Sequence, residues 1–233
     1  MYTSAFCRIY NEYGWNAYPE VFVSQLLEYL SDHGFSPKTH LDLGCGTGVL
    51  CGAMREAGMN TRGVDLSAGM IDIARTHFPQ IPFETGDMTQ WIATSPVELV
   101  TCTGDAVNHL PDLKAISHMF SCVRRSLSAN GLFIFDLLDE AEIPCDDPFE
   151  MDDGDVHTCF RTVREGDDIL LRVMVTKGME IQVNETIRER LYPVQEVCAL
   201  LEQAGFHILR RAHRLNEAGG DATTWYIVAQ ANQ

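Results

Sequence analysis

Apolar side chains recur along this chain in two rhythms, and the change from one to the other divides it. Residues 17–33 carry Val21, Phe22, Leu26, Leu27 and Leu30 at helical spacing, and Gly34 follows as a stop signal. A shorter amphipathic segment around Phe6, Ile9 and Tyr10 precedes it. Branched and apolar runs at 40–44, 61–66, 81–86, 97–103 and 131–138 predict strands. Helical patterns lie between them: one ends near Gly58, one runs over 67–77 with Ser67 as its N-cap, and one runs over 113–127. Strands alternating with helices predict an α/β fold built on a parallel sheet covered on both faces.

Beyond residue 138 the rhythm changes to period two. Runs at 156–165, 167–177 and 180–192 are separated by tight turn signals at Gly166-Asp167 and Gly178, which predicts an antiparallel meander. A helix then opens at Pro193 and stops at Gly205, and two last strands, 207–215 and 223–230, are joined by residues 216–221. The expected organisation is a helical cover (1–36), a parallel-sheet domain in two pieces (37–138 and 193–233) and an insertion between them (139–192).

Composition narrows the function classes. At 233 residues, 45% hydrophobic and 21% charged, the chain has the profile of a globular protein, either one large domain or one domain with a modest insertion. Its formal net charge of −16 makes a phosphate backbone an unfavourable partner. Nine of the 33 acids, and no base, fall within residues 139–155, a run that reads as a solvated loop or as a field drawing in a cationic ligand. The eight cysteines include no C-x-x-C pair and no histidine at ligand spacing, so reduced thiols in the cytoplasm are expected, with no metal. The N-terminal residues do not read as a signal peptide, and no apolar run approaches the ~20 residues of a membrane span.

The most informative segment is Leu41-Asp42-Leu43-Gly44-Cys45-Gly46-Thr47-Gly48, which closes a strand and opens a helix. Glycines there let the backbone approach a ligand, although such a loop by itself is also compatible with a mere tight strand-to-helix turn. Asp65 ends the second strand, where a carboxylate accepts both hydroxyls of a ribose, and Gly86-Asp87-Met88 ends the third. The spacing Gly44, Gly46, Gly48, preceded by Asp42, departs from the G-x-G-x-x-G of dinucleotide sites and suits a cationic amino-acid portion better than a pyrophosphate. Together these motifs, with G-V-D-L-S-A-G-M at 63–70, resemble those of class I S-adenosylmethionine-dependent methyltransferases.

That resemblance implies a Rossmann-like, doubly wound, mostly parallel seven-stranded sheet of order 3-2-1-4-5-7-6 with the last strand antiparallel, here carrying an inserted antiparallel β meander. It implies S-adenosylmethionine as methyl donor. Gly44 and Gly46 would line its methionine portion, with Asp42 facing the ammonium directly or through water. Asp65 would hold the ribose, Leu66 and Met70 would flank the adenine, Asp87 and Met88 would read its edge, and Cys102 and Thr103 would lie beneath the sulfonium. Tyr10, Tyr13 and Tyr18 belong to a segment expected to fold over the cofactor. In the stretch 103–110, His109 is the candidate general base and Asp105 an orienting acid, unless Asn108 and His109 only cap the helix that follows.

The acceptor is expected to be a small molecule, methylated at N or O by in-line displacement. The stretch after the fourth strand lacks N/D-P-P-Y/F, and the insertion resembles the antiparallel roof of glycine N-methyltransferase and aminosugar N,N-dimethyltransferases. Phe160, Arg172, Met174, Glu185, Ile187 or Arg190 would line the pocket, with Glu185 and Arg190 equally readable as an ion pair. A tRNA or protein methyltransferase would need a basic patch, for which Arg210, Arg211, His213 and Arg214 are the candidates. A module that binds S-adenosylmethionine without chemistry is the third alternative, and oligomeric state is not legible.

Overall fold

The computed structural model describes residues 3–11, 17–139, 148–213, 215 and 223–232. In chain order the elements are α1 (Ser4–Ile9), α2 (Ala17–Asp32), β1 (Thr39–Leu43), α3 (Val49–Glu56), β2 (Asn60–Asp65), α4 (Ala68–His77), β3 (Phe83–Thr85), β4 (Val97–Cys102), a 3-10 turn (Ala106–His109), α5 (Leu113–Ser126) and β5 (Leu127–Leu138). There follow β6 (Phe149–Asp153), β7 (Val156–Glu165), β8 (Asp168–Lys177), β9 (Glu180–Arg190), α6 (Val194–Gln203), β10 (Phe206–Ala212) and β11 (Thr224–Ala231).

Seven strands form one sheet in the order β10-β11-β5-β4-β1-β2-β3. With β6 to β9 set aside, this is the expected 3-2-1-4-5-7-6 order. The pairs from β3 through β5 are parallel, and β11 runs antiparallel to both β5 and β10. Alternation along the strands divides the core by face. Leu41, Leu43, Val100, Phe133, Phe135 and Ile227 meet α5 and α6 on one side, whereas Leu99, Leu132, Ile134 and Val228 meet α2 and α3 on the other. Both faces are therefore covered, which is why β5 reads as a continuous apolar run. Ser67 caps α4, its Oγ accepting from the Met70 N–H, as the sequence predicts. Asp112, rather than Asn108 or His109, caps α5 by accepting from Ala115 N–H at 2.8 Å.

The insertion forms a separate four-stranded antiparallel sheet, β6-β7-β8-β9, with one strand more than the meander expected. The extra strand β6 lies in the acidic run. Its Phe-Glu-Met-Asp alternation carries the period of a strand, and Asp152 reaches across to His157 at 2.7 Å. Residues 140–147 of that run, like Tyr13, Arg214 and the connection 216–221, lie outside the described residues. The inner face of this sheet packs on α1 and α4 through Phe6, Cys7, Met70, Val173, Val175, Val183 and Ile187. Phe160, Glu185 and Ile187 share that face, whereas Arg172 and Met174 point away, because only alternate residues of a strand face one side. Glu185 and Arg190 do not pair: Glu185 accepts from the backbone and hydroxyl of Thr3, and Arg190 meets Asp167 at 3.4 Å. Among the described residues no helix is long and apolar enough to cross a membrane, no His/Cys/Asp/Glu cluster has metal-binding geometry, and seven cysteines are free.

Candidate functional site

The carboxyl ends of β1, β2 and β4 converge under one loop. After Leu43 the backbone turns through positive φ at Gly44 (+72°), Gly46 (+52°) and Gly48 (+83°), conformations that side chains rarely adopt. Gly48 also has no room for one, since a Cβ there would lie 2.7 Å from the Phe83 ring. At Gly46 a Cβ would meet nothing within 4 Å, so the front of the loop is open. Asp65 braces this loop from β2: Oδ2 accepts from Gly46 N–H at 2.9 Å and Oδ1 from Ser67 N–H at 2.7 Å. Burial raises its pKa while these two bonds lower it. Each oxygen keeps a lone pair for a hydroxyl, and Leu66 beside it is 53% exposed, an apolar surface at the rim. An open glycine loop, a braced carboxylate and a flat apolar neighbour fit the amino-acid, ribose and adenine parts of S-adenosylmethionine.

Asp42 lies beneath the loop rather than at its surface. It is 3% exposed, accepts from Thr101 Oγ1 at 2.6 Å and meets the Cys51 thiol at 3.9 Å. Burial pushes its carboxyl up to about 7. His40 extends the row, with Nε2 2.8 Å from Thr101 Oγ1 and Nδ1 2.8 Å from Thr61 Oγ1. The Thr101 hydroxyl gives its one proton to Asp42, so it accepts from His40 Nε2–H, and His40 Nδ1 accepts from Thr61. Burial holds this ring neutral, its pKa lowered to about 3. Direct contact between Asp42 and a ligand ammonium is thus a corrected expectation, because β1 alternation turns the carboxylate into the polar row inside the fold.

Two further adenine expectations change. Met70, 1% exposed, turns into the cluster shared with α1 and the four-stranded sheet, since three residues past the Ser67 cap α4 faces inward there. Asp87 folds its carboxylate into its own turn, accepting from Thr89 N–H, Thr89 Oγ1 and Gln90 Nε2. Partial burial acts to raise its pKa, but these bonds hold it below the usual range. Met88 remains beside Gly44, its Cε 3.6 Å from where a Cβ would stand. Cys102 is fully buried, and Thr103 beyond it is partly exposed.

The stretch after β4 is held in an uncommon shape. Asp105 adopts φ +60°, a left-handed conformation that Asp tolerates better than most side chains. Asp136 of β5, fully buried, fixes it by accepting from Gly104 N–H at 2.8 Å and Asp105 N–H at 3.0 Å. Asn108 then staples the turn to the insertion, donating to Arg190 O at 2.7 Å and accepting from Leu138 N–H at 3.1 Å. Tyr192 Oη donates to Leu110 O at 2.6 Å. This brings His109, with a side chain 32% exposed, to 3.9 Å from Glu189 Oε1 on β9, whose side chain is 11% exposed. Burial lowers the His109 pKa, with an opposing hydrogen bond to the Arg188 backbone, and burial raises Glu189 to about 7. Burial, then the charges of Asp105, Asp65 and Glu189, push the Tyr10 hydroxyl up to about 12. Tyr10, Asp65, Asp105, His109 and Glu189 thus stand around one region. The side chain of Tyr18 lies outside the described residues.

Asp136 and Glu189 are the site residues that sequence reasoning missed. Asp136 carried a signal, a lone acid near the carboxyl end of an apolar strand; Glu189 carried none beyond its place in a mixed-charge strand. Of the candidate basic patch, Arg211 lies 5.9 Å over the Trp225 ring, and His213 lies against the same ring and pairs with Asp139 at 3.4 Å.

Comparison with known proteins agrees with this geometry. A family described as "Methyltransferase domain" matches residues 41–131, from the glycine loop into β5. The YqeM protein of Bacillus subtilis (strain 168) is 27% identical over 182 residues, 73% of this chain and 74% of that one. The chain spans about half the length of several other curated relatives, among them a ubiquinone biosynthesis O-methyltransferase of Idiomarina loihiensis (strain ATCC BAA-735 / DSM 15497 / L2-TR), 32% identical over 120 residues and 48% of each chain. An S-adenosylmethionine-dependent methyltransferase from Clostridium acetobutylicum ATCC 824 superposes with a TM-score of 0.81 over 91% of each chain at 21% identity. CalS10 with S-adenosylmethionine bound, an amino pentose methyltransferase from Micromonospora echinaspora, gives a TM-score of 0.77 at 18% identity over 100% of this chain and 98% of that one. Motifs, loop geometry and fold thus agree: residues 41–131 match a methyltransferase domain, and the fold is the one seen in S-adenosylmethionine-dependent methyltransferases.

Proposed function

We propose that this protein transfers a methyl group from S-adenosylmethionine to the amine nitrogen of a small molecule. The observation that supports this reading is the negative surroundings of Tyr10: the charges of Asp105, Asp65 and Glu189 all raise its hydroxyl pKa, and Glu189 Oε1 stands 3.9 Å from His109 Nε2, so this region favours a cation. The amino pentose acceptor named for CalS10 supports the same class.

In this reading Gly44 and Gly46 receive the amino-acid portion, Asp65 the ribose hydroxyls and Leu66 with Met88 the adenine. Asp42 shapes the loop from below. When bound, S-adenosylmethionine supplies a methyl carbon activated by a positive sulfonium. The chain's own contribution is alignment and exclusion of water: the four-stranded sheet β6 to β9 roofs the acceptor, Tyr10 closes the side, and Asp136 with Asn108 holds the 103–110 stretch in place. His109, kept neutral by burial, is positioned to take a proton, and Asp105 orients the acceptor.

The test is methyl transfer from labelled S-adenosylmethionine to aminosugars and other small amines, each paired with the alcohol of the same skeleton. Labelled amines are expected. Labelling confined to alcohols, or to tRNA or protein, would refute the reading.

A further inference from the structure

The geometry points to Glu189 as the residue that selects a cationic amine acceptor, receiving its ammonium against the β9 carboxylate and passing its proton on beside His109. This rests on the amine reading above. Glu189 is an acid on the insertion, outside the cofactor motifs, yet Oε1 lies 3.9 Å from His109 Nε2 and its side chain is nearly buried. Its place is fixed from both sides. The backbone of Arg190, the next residue, accepts from Asn108 Nδ2 at 2.7 Å, and Tyr192 Oη donates to Leu110 O at 2.6 Å, so β9 is tied to the 3-10 turn. The cross-strand neighbour is apolar Ile169, which gives the carboxylate no counter-charge from β8. From α1, Tyr10 faces the same region, and Asp65 and Asp105 add negative charge from the sheet. An uncompensated buried carboxylate is costly without a cation, and a ligand ammonium satisfies it. Burial raises its pKa to about 7, so it holds a proton readily at neutral pH.

The step balances. One N–H bond of the bound ammonium breaks, its electron pair stays on nitrogen, and the proton passes to the Glu189 carboxylate. The nitrogen pair then forms the N–C bond to the methyl carbon while the C–S bond breaks and its pair returns to sulfur. The products are an N-methylammonium, a neutral thioether and one proton, which leaves Glu189 for solvent past His109.

Sinefungin tests this without a known acceptor, because it carries an ammonium where the methyl group stands, aimed at the acceptor side. Its affinity and that of S-adenosylhomocysteine would be measured by isothermal titration on the full chain. The wild type is expected to prefer sinefungin by about tenfold at pH 8, and Glu189→Gln, nearly isosteric, to lose that preference while binding S-adenosylhomocysteine as before. A preference retained by Glu189→Gln would overturn the proposal. In the unaltered chain the preference should grow from pH 6 to pH 8 as Glu189 ionises, and a constant ratio would equally overturn it. Failure of the wild type to bind either ligand would instead refute the methyltransferase site itself.

Discussion

The polar row beneath the glycine loop makes the pH dependence of stability predictable in sign. His40 is held neutral, its pKa lowered from 6.5 to about 3 by burial, so between those values the unfolded chain binds the extra proton and stability rises with pH. Asp42 is raised from 3.8 to about 7 by burial, so over its own window the folded chain binds the extra proton and stability falls as pH rises. Between pH ~4 and ~6.5 the two slopes oppose, each ~1.4 kcal/mol per pH unit, and nearly cancel. Asp42→Asn removes one of them and keeps an oxygen to accept from Thr101. Relative to wild type, the variant should gain about 3 kcal/mol on going from pH 4 to pH 6.5. Urea unfolding of both proteins at half-unit pH steps measures this, and subtraction removes groups common to both. Parallel stability curves would refute the assignment of the buried charge to Asp42.

Further outcomes follow from single contacts. Asp65→Ala should weaken S-adenosylmethionine binding by at least ~100-fold, two charge-assisted hydroxyl bonds of ~1.5–3 kcal/mol each being lost; an unchanged titration removes Asp65 from the ribose. Asn108→Ala should cost about 2–3 kcal/mol in urea unfolding, because buried Leu138 N–H and Arg190 O lose their partner; a loss below ~0.5 kcal/mol contradicts the staple. Gly48→Ala, at φ +83° and 2.7 Å from Phe83, should cost about 1–3 kcal/mol, and unaltered stability would contradict that packing. Neutralising Asp146, Asp147, Asp152 and Asp153 together should raise the acceptor KM several-fold at low salt and little at high salt; equal KM values would remove the acidic run from any part in drawing in the acceptor.

Legibility in the sequence followed the range of the interactions. The glycine loop, Asp65 and the α4 cap are local: each is written in a few consecutive residues, and each is where it was expected. The sheet order came from the family resemblance, since hydrophobic alternation is the same for any order of parallel strands. Met70 and the carboxylate of Asp42 turn inward through phase, because a helix turn or strand alternation carries the side chain away from the surface that its backbone borders. Asp136 and Glu189 act through partners far along the chain, with Asp136 bonding Asp105 from 31 residues away. Only the packing of β9 on the 3-10 turn brings Glu189 to His109. Strand β6 was hidden by its acidity and by its full exposure, although its Phe-Glu-Met-Asp alternation carries the period of an edge strand.

Isothermal titration of the unmodified chain with S-adenosylmethionine bears most directly on the site. Micromolar affinity is expected, about −8 kcal/mol, with S-adenosylhomocysteine competing. No heat of binding up to millimolar ligand, equivalent to about −4 kcal/mol, would contradict the assignment of the β1 loop and Asp65 to the methyl donor.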